Sequence, residues 1–274
     1  LGSDPDADRI GIMVRGADGK FIVLSGNQTG VLLLDYVIGA KKRMGTLPEK
    51  ATALKTIVTT EMARKVCEVN GVNMFDTFTG FKFMAEKKNA LEQSGEGKVI
   101  FSYEESYGYM MGDYVRDKDA VTASLVATEM AAYYYDRGMT LYDALQELYH
   151  KYGQYGEKTL NLVMPGLDGL QKMAQLMKDL REHPPVDIAG TPVTLRRDYS
   201  TGIEEEVATG RKTEMELKGS NVLKYKLSDG TDLVVRPSGT EPKVKVYILA
   251  QGATRAECDQ KVAQYEVWAK ALQK

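Results

Sequence analysis

The chain has 274 residues, 36 basic and 38 acidic side chains, and a formal net charge of -2. That length suits two domains of roughly 100–200 residues each, and without a basic surplus no nucleic-acid partner held by phosphate neutralisation is expected. No stretch reaches the roughly 18 apolar residues of a membrane span, and no signal peptide is visible at the front. The two cysteines, Cys67 and Cys258, rule out a disulfide framework or zinc cage, and His150 and His183 leave little room for a histidine-based triad.

Alternating Ile10, Ile12 and Val14, the turn residues Ala17-Asp18-Gly19 and the apolar run Phe21 to Leu24 predict a hairpin. A helix follows Ser25-Gly26 and ends near Lys41-Lys42-Arg43, where basic residues suit the negative end of its dipole. Strands are predicted at Leu54 to Thr59, Val72 to Phe75 and Lys98 to Tyr103. Helices are predicted at Glu61 to Asn70, stopped by Gly71, and at Phe81 to Gln93, Asp119 to Arg137 and Asp143 to Tyr152. The Asp119 to Arg137 helix is so apolar that burial is expected. Strands and helices alternating in this way imply a three-layer α/β/α domain with a mainly parallel sheet.

From about Glu157 the character changes. Leu167, Leu170, Met173, Met177 and Leu180 mark an amphipathic helix ended by Pro184-Pro185. Strands follow, with turns at Ala189-Gly190 and Asp229-Gly230, and Leu233/Val235 and Val244/Val246/Ile248 alternate on either side of a loop. A last helix opens with the capping box Thr254-x-x-Glu257 and carries Cys258, Val262, Tyr265 and Leu272 on one stripe. This is a smaller α+β domain, with the boundary placed near residue 156.

Three segments carry chemistry. In Asp4-Pro5-Asp6-Ala7-Asp8-Arg9, three carboxylates at alternate positions can turn toward one point if the segment is a tight loop. Hard oxygens in that number suit Mg²⁺ or Ca²⁺. An EF-hand fails, because Arg9 and Arg15 stand where its glycine and glutamate belong. Arg9 reads equally as a brace for the aspartates or as an anion ligand. Glu104-Glu105-Ser106 lies just past a buried strand, where open α/β sheets bind ligands, and can hydrogen-bond sugar hydroxyls. An ordinary solvated strand exit carries equal weight there. Tyr103, Tyr107 and Tyr109 beside it read either as a stacking surface or as packing. Arg236-Pro237-Ser238-Gly239-Thr240-Glu241-Pro242-Lys243 combines a planar guanidinium, two hydroxyls, a permissive glycine and a lysine, which favours phosphate binding. No Walker A or G-x-G-x-x-G pattern is present. Two weaker segments are Thr79-Gly80-Phe81-Lys82, where glycine can simply serve a turn, and Arg116-Asp117-Lys118-Asp119, either an anion site or a surface charge cluster.

In this order the motifs resemble the α-D-phosphohexomutase family, whose members have four domains. Asp4 to Arg9 resembles its metal loop, Thr79-Gly80 with Lys82 a loop of its third domain, and Glu104 to Gly108 its sugar loop. Arg236 to Thr240 resembles its fourth-domain phosphate loop, and Tyr103 to Tyr109 with Val115 to Asp119 are most similar to the bacterial phosphoglucomutase branch. The resemblance implies that residues 1–20 form the tail of domain 2, 21–156 domain 3 and 157–274 domain 4. It implies Mg²⁺ on Asp4, Asp6 and Asp8, with Arg9 and Lys118 near the transferring phosphoryl group. Thr79, Gly80, Lys82, Glu104, Ser106 and Arg116 would face the sugar phosphate, and Arg236, Ser238, Gly239, Thr240 and Lys243 would grip the non-reacting phosphate.

The implied reaction interconverts glucose 1-phosphate and glucose 6-phosphate through a phosphoserine and glucose 1,6-bisphosphate, in the cytoplasm. The serine in its Ser-His-Asn-Pro setting has no counterpart here, and the chain opens on Leu1. A piece of a longer enzyme, inactive by itself without its N-terminal domains, is therefore expected. Phosphomannomutase or phosphopentomutase activity, a free-standing Mg²⁺-dependent sugar phosphatase and a non-catalytic sugar-phosphate module are the alternatives.

Overall fold

The computed structural model describes residues 1–166, 168–239 and 241–273. Among these the chain divides into two units, Leu1–Gly153 and Gln154–Lys274.

The first unit opens with β1 (Gly2–Ser3) paired antiparallel with β2 (Ile10–Gly11), so residues 4–9 form the loop of a hairpin. A second ribbon follows, β3 (Met13–Arg15) with β4 (Phe21–Val23). Next come α1 (Gly26–Arg43), β5 (Ala51–Thr56), α2 (Met62–Asn70), β6 (Asn73–Thr77), α3 (Phe81–Ser94), β7 (Lys98–Tyr103), β8 (Tyr109–Met110), α4 (Ala120–Tyr135) and α5 (Leu141–Tyr152). The main sheet runs β6-β5-β7-β8, with β5 parallel to both β6 and β7 and only β8 antiparallel. Alternate residues of a strand face opposite layers. Leu54, Val99 and Met110 pack against Phe81, Met84 and Leu91 of α3. A register shift of β7 against β5 between Val99 and Phe101 reverses the alternation, so Tyr103 turns the other way onto α1. The α/β/α arrangement is therefore as the sequence implies.

Local chemistry sets the ends of these elements. Ser25 and Gln28 form a reciprocal capping box on α1, and Thr140 and Asp143 form another on α5. Gly71 ends α2 in the left-handed region at φ 71°.

Three expectations need correction. The β-branched run Leu54 to Thr59 is not all strand, since β5 stops at Thr56 and the Thr59 amide closes a turn onto the Thr56 carbonyl. The next strand begins at Asn73 rather than Val72 and extends to Thr77. The apolar helix α4 is not buried: it packs through Ala120, Ala123, Ala127 and Met130, leaving Val121 73% and Leu125 68% exposed. Small alanines let one face approach its neighbours closely, and an all-round apolar sequence does not reveal which face that is.

The second unit contains β9 (Gln154–Val163), α6 (Gly169–Glu182), β10 (Asp187–Ile188), β11 (Thr191–Asp198), β12 (Ile203–Glu206), β13 (Arg211–Glu214), β14 (Leu223–Leu227), β15 (Asp232–Pro237), β16 (Lys243–Gly252) and α7 (Arg255–Ala271). Its sheet is antiparallel, ordered β13-β12-β11-β14-β15-β16-β9, with β10 paired to β11. Ala189 and Gly190 both take positive φ, as the two-residue turn between β10 and β11 requires. Met177 and Leu180 of α6 and Tyr265 and Ala269 of α7 share one core with Leu233, Val235, Val244, Val246 and Ile248, so both helices cover the same face. Leu167, expected on the α6 stripe, lies outside the described residues. At α7 the Thr254 hydroxyl caps the Glu257 amide, but the Glu257 carboxylate reaches the Ala253 amide, one residue earlier than a capping box places it.

Candidate active-site loops

In the first unit the acidic loop is a tight turn built around Asp4. Asp4 Oδ1 accepts hydrogen bonds from the amides of Asp8 and Arg9, both at 3.2 Å, and the Ala7 amide returns to the Asp4 carbonyl. Burial works against the ionised Asp4 carboxyl, but those two amides outweigh it and hold its pKa below the ordinary value. Arg9 Nη1 stands 3.7 Å from Asp4 Oδ2, so this guanidinium braces the loop, while its Nε is buried without a hydrogen-bond partner. Asp6 is exposed.

Asp8 Oδ2 pairs with Lys118 Nζ at 2.8 Å, and its Oδ1 is buried with no partner. Burial alone would lower the Lys118 pKa; its bond to Asp8 and the charge of Asp117 raise it above the ordinary value. The carboxylates supply suitable oxygens for a hard cation, yet among the described residues no three acids converge on a point that could hold one. Asp4 is turned to its own amides and Asp8 to Lys118. The expected three-aspartate cage does not fit a metal in this arrangement.

The Glu-Glu-Ser loop lies against the same turn. The Ile10 amide donates to the Tyr107 carbonyl at 3.2 Å, and Arg9 bridges Gly108 across the strands. The loop closes on itself through the Glu104 amide and the Gly108 carbonyl, with Tyr107 at φ 70°. Glu104 is buried, and its Oε1 accepts the Gly80 amide at 2.5 Å at the start of α3, where a helix amino terminus favours a carboxylate. Glu105 is turned beneath the sheet end, accepting from the hydroxyls of Thr56 and Thr59, each at 3.3 Å. Ser106 is exposed and Thr79 half-buried, while Lys82 is exposed with its ammonium 4.8 Å from the Phe83 ring centroid. Tyr103 and Tyr109 are packing residues, 0% and 1% exposed, with rings stacked at 6.3 Å.

Arg116 does not turn toward this cluster. Its Nη1 lies 3.9 Å from Glu92, beside a second charge cluster around Lys88. The Lys88 ammonium is fully buried and bonds Glu92 at 2.7 Å and Asp113 at 2.8 Å, while Lys98 bonds the other Asp113 oxygen at 2.7 Å. These bonds from Lys88 and Lys98 hold the Asp113 carboxyl down to about 2. A carboxyl depressed on folding adds stability that is complete above its unfolded value near ~3.9 and is lost as pH falls through the folded one. Asp113→Asn should therefore lower urea stability at pH 6 but not at pH 2, by a modest amount because Asp113 is half exposed. Carboxyl NMR showing Asp113 titrating near 4 would contradict this.

In the second unit the phosphate-loop sequence joins β15 to β16. The Ser238 amide donates to the Lys243 carbonyl at 2.8 Å, and Ser238 Oγ accepts the Glu241 amide at 3.3 Å. Lys243 is ion-paired with Glu241. Gly239 is exposed with nothing within 4 Å of where a Cβ would be. Thr240 lies outside the described residues. Arg236 is half-buried and directly opposite Lys245 in the ladder, so Arg236, Lys243 and Lys245 share the sheet face away from the helices. Among the described residues no carboxylate pairs with Arg236 or Lys245. Like charges placed directly opposite are unfavourable unless something anionic lies between them.

The profile "Phosphoglucomutase/phosphomannomutase, alpha/beta/alpha domain III" matches residues 25–152, and the C-terminal domain of the same family matches 161–264. The chain belongs to the phosphoglucomutase/phosphomannomutase family. A phosphoglucomutase of Staphylococcus epidermidis is 34% identical over 248 residues, covering 90% of this chain and 44% of that protein. The chain thus spans less than half the length of such a relative.

Among solved structures, pp63/parafusin from Paramecium in its open form superposes with a TM-score of 0.62 at 18% identity, over 98% of this chain and 43% of that one. An Aspergillus fumigatus N-acetylphosphoglucosamine mutase, solved with GlcNAc-6P and magnesium, gives a TM-score of 0.56 at 13% identity, over 100% of this chain and 48% of that one. At these identities the likeness shows the fold. No helix among the described residues is long and apolar enough to cross a membrane.

Four residues around these phosphohexomutase loops escaped the sequence reading. Thr56 and Thr59 brace Glu105 but read as strand; Lys245 is implied by the alternation Lys243-Val244-Lys245-Val246 once that strand is recognised. Asp113 carries no local signal at all.

Proposed function

We propose that this chain supplies the sugar-hydroxyl and distal-phosphate contacts of a mutase interconverting glucose 1-phosphate and glucose 6-phosphate. In that reading a phosphoserine on a separate segment exchanges the phosphoryl group and glucose 1,6-bisphosphate is the intermediate. Residues 1–20 are the tail of a preceding domain, 21–156 the sugar-binding domain and 157–274 the phosphate-binding domain.

The observation that carries the reading is the uncompensated Arg236–Lys245 pair beside Ser238. Two cations on one sheet face with no described carboxylate between them form a ready site for a phosphate dianion. Glu104 and Ser106 are the sugar contacts; the Glu104 bond to Gly80 holds its carboxylate still before any sugar arrives. Gly80 meets Glu104 through that bond, and Thr79 and Lys82 lie within two residues of Gly80, so all three belong to the same surface of the proposal. The choice of glucose is supported by the name of the staphylococcal relative, and a hard cation such as Mg²⁺ by the acidic composition of residues 4–8. A bound cation would supply charge compensation for a phosphoryl group; the resting loop needs rearrangement to accept it.

The test is titration of the chain with glucose 1,6-bisphosphate by calorimetry. Losing a charge-assisted pair costs about 1.5–3 kcal/mol, so Arg236→Ala should weaken binding by roughly 10- to 100-fold, with Lys245→Ala a smaller loss. Unchanged affinity in both variants would sink the phosphate assignment. Comparing turnover of glucose, mannose and ribose 1-phosphates by the protein joined to a phosphoserine domain distinguishes the mutase subclasses. Release of inorganic phosphate by this chain alone would favour the phosphatase instead.

A further inference from the structure

A recess of about 260 Å³ opens in the first unit between α1, α4 and the start of β7. Tyr36, Val37, Ala40, Lys41 and Met44 line it from α1, and their spacing puts them on one face of that helix. Val126 and Glu129, three residues apart, line it from α4, and Ile100 and Met111 add apolar surface from the sheet. Protein interiors leave few voids larger than a water molecule. This one persists because the small Ala40 stands in the middle of the α1 face. It is also separate from the sugar loop. Ile100 lies near the amino end of β7 and Glu104 just past its carboxyl end, ~13 Å along the strand direction.

The polar groups lining the recess have partners, with one exception. Lys98 bonds Asp113 at 2.7 Å and stands 3.4 Å from Glu92. Glu129 accepts the Tyr36 hydroxyl at 2.5 Å, and burial together with that bond pushes the Tyr36 pKa up to about 12, so the hydroxyl stays a donor. Half-buried Lys41 has no carboxylate partner among the described residues. Small-molecule sites combine apolar walls with a few polar groups that fix orientation. Apolar walls with one spare ammonium therefore suit an apolar body carrying one negative charge. A phosphate dianion needs a second spare cation, and Lys98 is already committed. The volume falls just short of the roughly 300–1,000 Å³ of drug-sized sites, so a single ring or a short chain fills it. We infer that this recess binds a small aromatic or aliphatic monocarboxylate, with its carboxylate on Lys41 and its body against Val37, Ile100, Met111 and Val126. The site is independent of the sugar and phosphate contacts proposed above.

The experiment is methyl NMR of the chain titrated with phenylacetate, with benzylammonium and acetate as the opposite head and the bare head. Phenylacetate should shift the methyls of Val37, Ile100, Met111 and Val126 with a Kd of about 1 mM, as expected for so small a ligand. Both controls should bind at least several-fold more weakly. Lys41→Met keeps the stem and removes the charge, so affinity should fall roughly three- to tenfold for a half-buried pair. Ala40→Leu narrows the recess and should weaken binding further; if that variant folds poorly, Lys41→Met carries the test. No shift at these methyls by about 10 mM phenylacetate overturns the inference. So does benzylammonium binding as tightly as phenylacetate, or an unchanged affinity in Lys41→Met. Shifts centred instead on Val235 and Val244, which flank the phosphate loop, would place the carboxylate on Arg236 and overturn it equally.

Discussion

Alanine in place of Gly26 should displace the Glu104–Tyr107 loop and lower the thermal stability of the chain. A Cβ at this position would lie 2.0 Å from the Glu105 carbonyl oxygen, 2.7 Å from its carbon and 2.8 Å from the Tyr107 amide. All three are backbone atoms, so no side-chain rotation relieves the clash. The start of α1 cannot retreat freely either, because the buried Tyr109 hydroxyl donates to the Gly26 carbonyl at 3.1 Å. Overpacking of this kind costs about 1–3 kcal/mol or more, and each kcal/mol lowers Tm by roughly 2–4 °C in a chain this size. The functional effect should be larger. A shift of about 1 Å in a positioning loop can cost on the order of 100-fold in rate, so under the function proposed above sugar-phosphate turnover by the chain joined to a phosphoserine domain should fall far more than the stability does. Calorimetry showing an unchanged Tm, with unchanged turnover, would refute the prediction.

Lys55→Met should be the most destabilising single charge removal in the first unit. The Lys55 side chain is fully buried, with its ammonium 2.9 Å from Glu61 and 3.0 Å from Asp76, and it also donates to the Thr59 carbonyl at 3.3 Å. Breaking a buried pair by deleting one partner costs about 3–5 kcal/mol. Here Arg64 still compensates Glu61 and Asp76, and both acids are about a quarter exposed, so a cost below that range, about 2–3 kcal/mol, is expected. The same ammonium holds the turn that carries Thr56 and Thr59 under Glu105, so amide exchange in residues 56–60 and 104–108 should accelerate together. Urea unfolding combined with hydrogen exchange tests both halves. A loss below about 0.5 kcal/mol, within the range of ordinary surface substitutions, would show that the network contributes little.

What proved legible in the chain was local. The period of two in Val244, Val246 and Ile248 placed β16 and with it the loop after Arg236. Lys98 to Tyr103 read as a strand and is one, so the Glu-Glu-Ser loop lies at its carboxyl end. Where neighbouring residues compete, local reading failed. Thr59 has the β-branched shape of a strand residue, but its hydroxyl and amide turn back to Thr56 to meet Glu105, a partner far along the chain. The run Arg116-Asp117-Lys118-Asp119 reads either as an anion site or as a surface charge cluster; in the fold Arg116 Nη1 lies 3.9 Å from Glu92, beside the buried Lys88 that also pairs with Asp113.

The acidic loop draws the same line most sharply. Its composition determined the chemistry on offer, namely three hard carboxylates and one arginine in six residues. Spacing and turn propensity are properties of consecutive residues, and they sufficed to make that segment a tight hairpin loop. Which carboxylate stays available depended on partners brought from elsewhere in the fold. Asp4 serves the loop's own amides, and Asp8 is met by Lys118 because the first turn of α4 docks on the Ala7 carbonyl. Charges act through space at a few ångströms, and only the tertiary structure decides which of them share that distance.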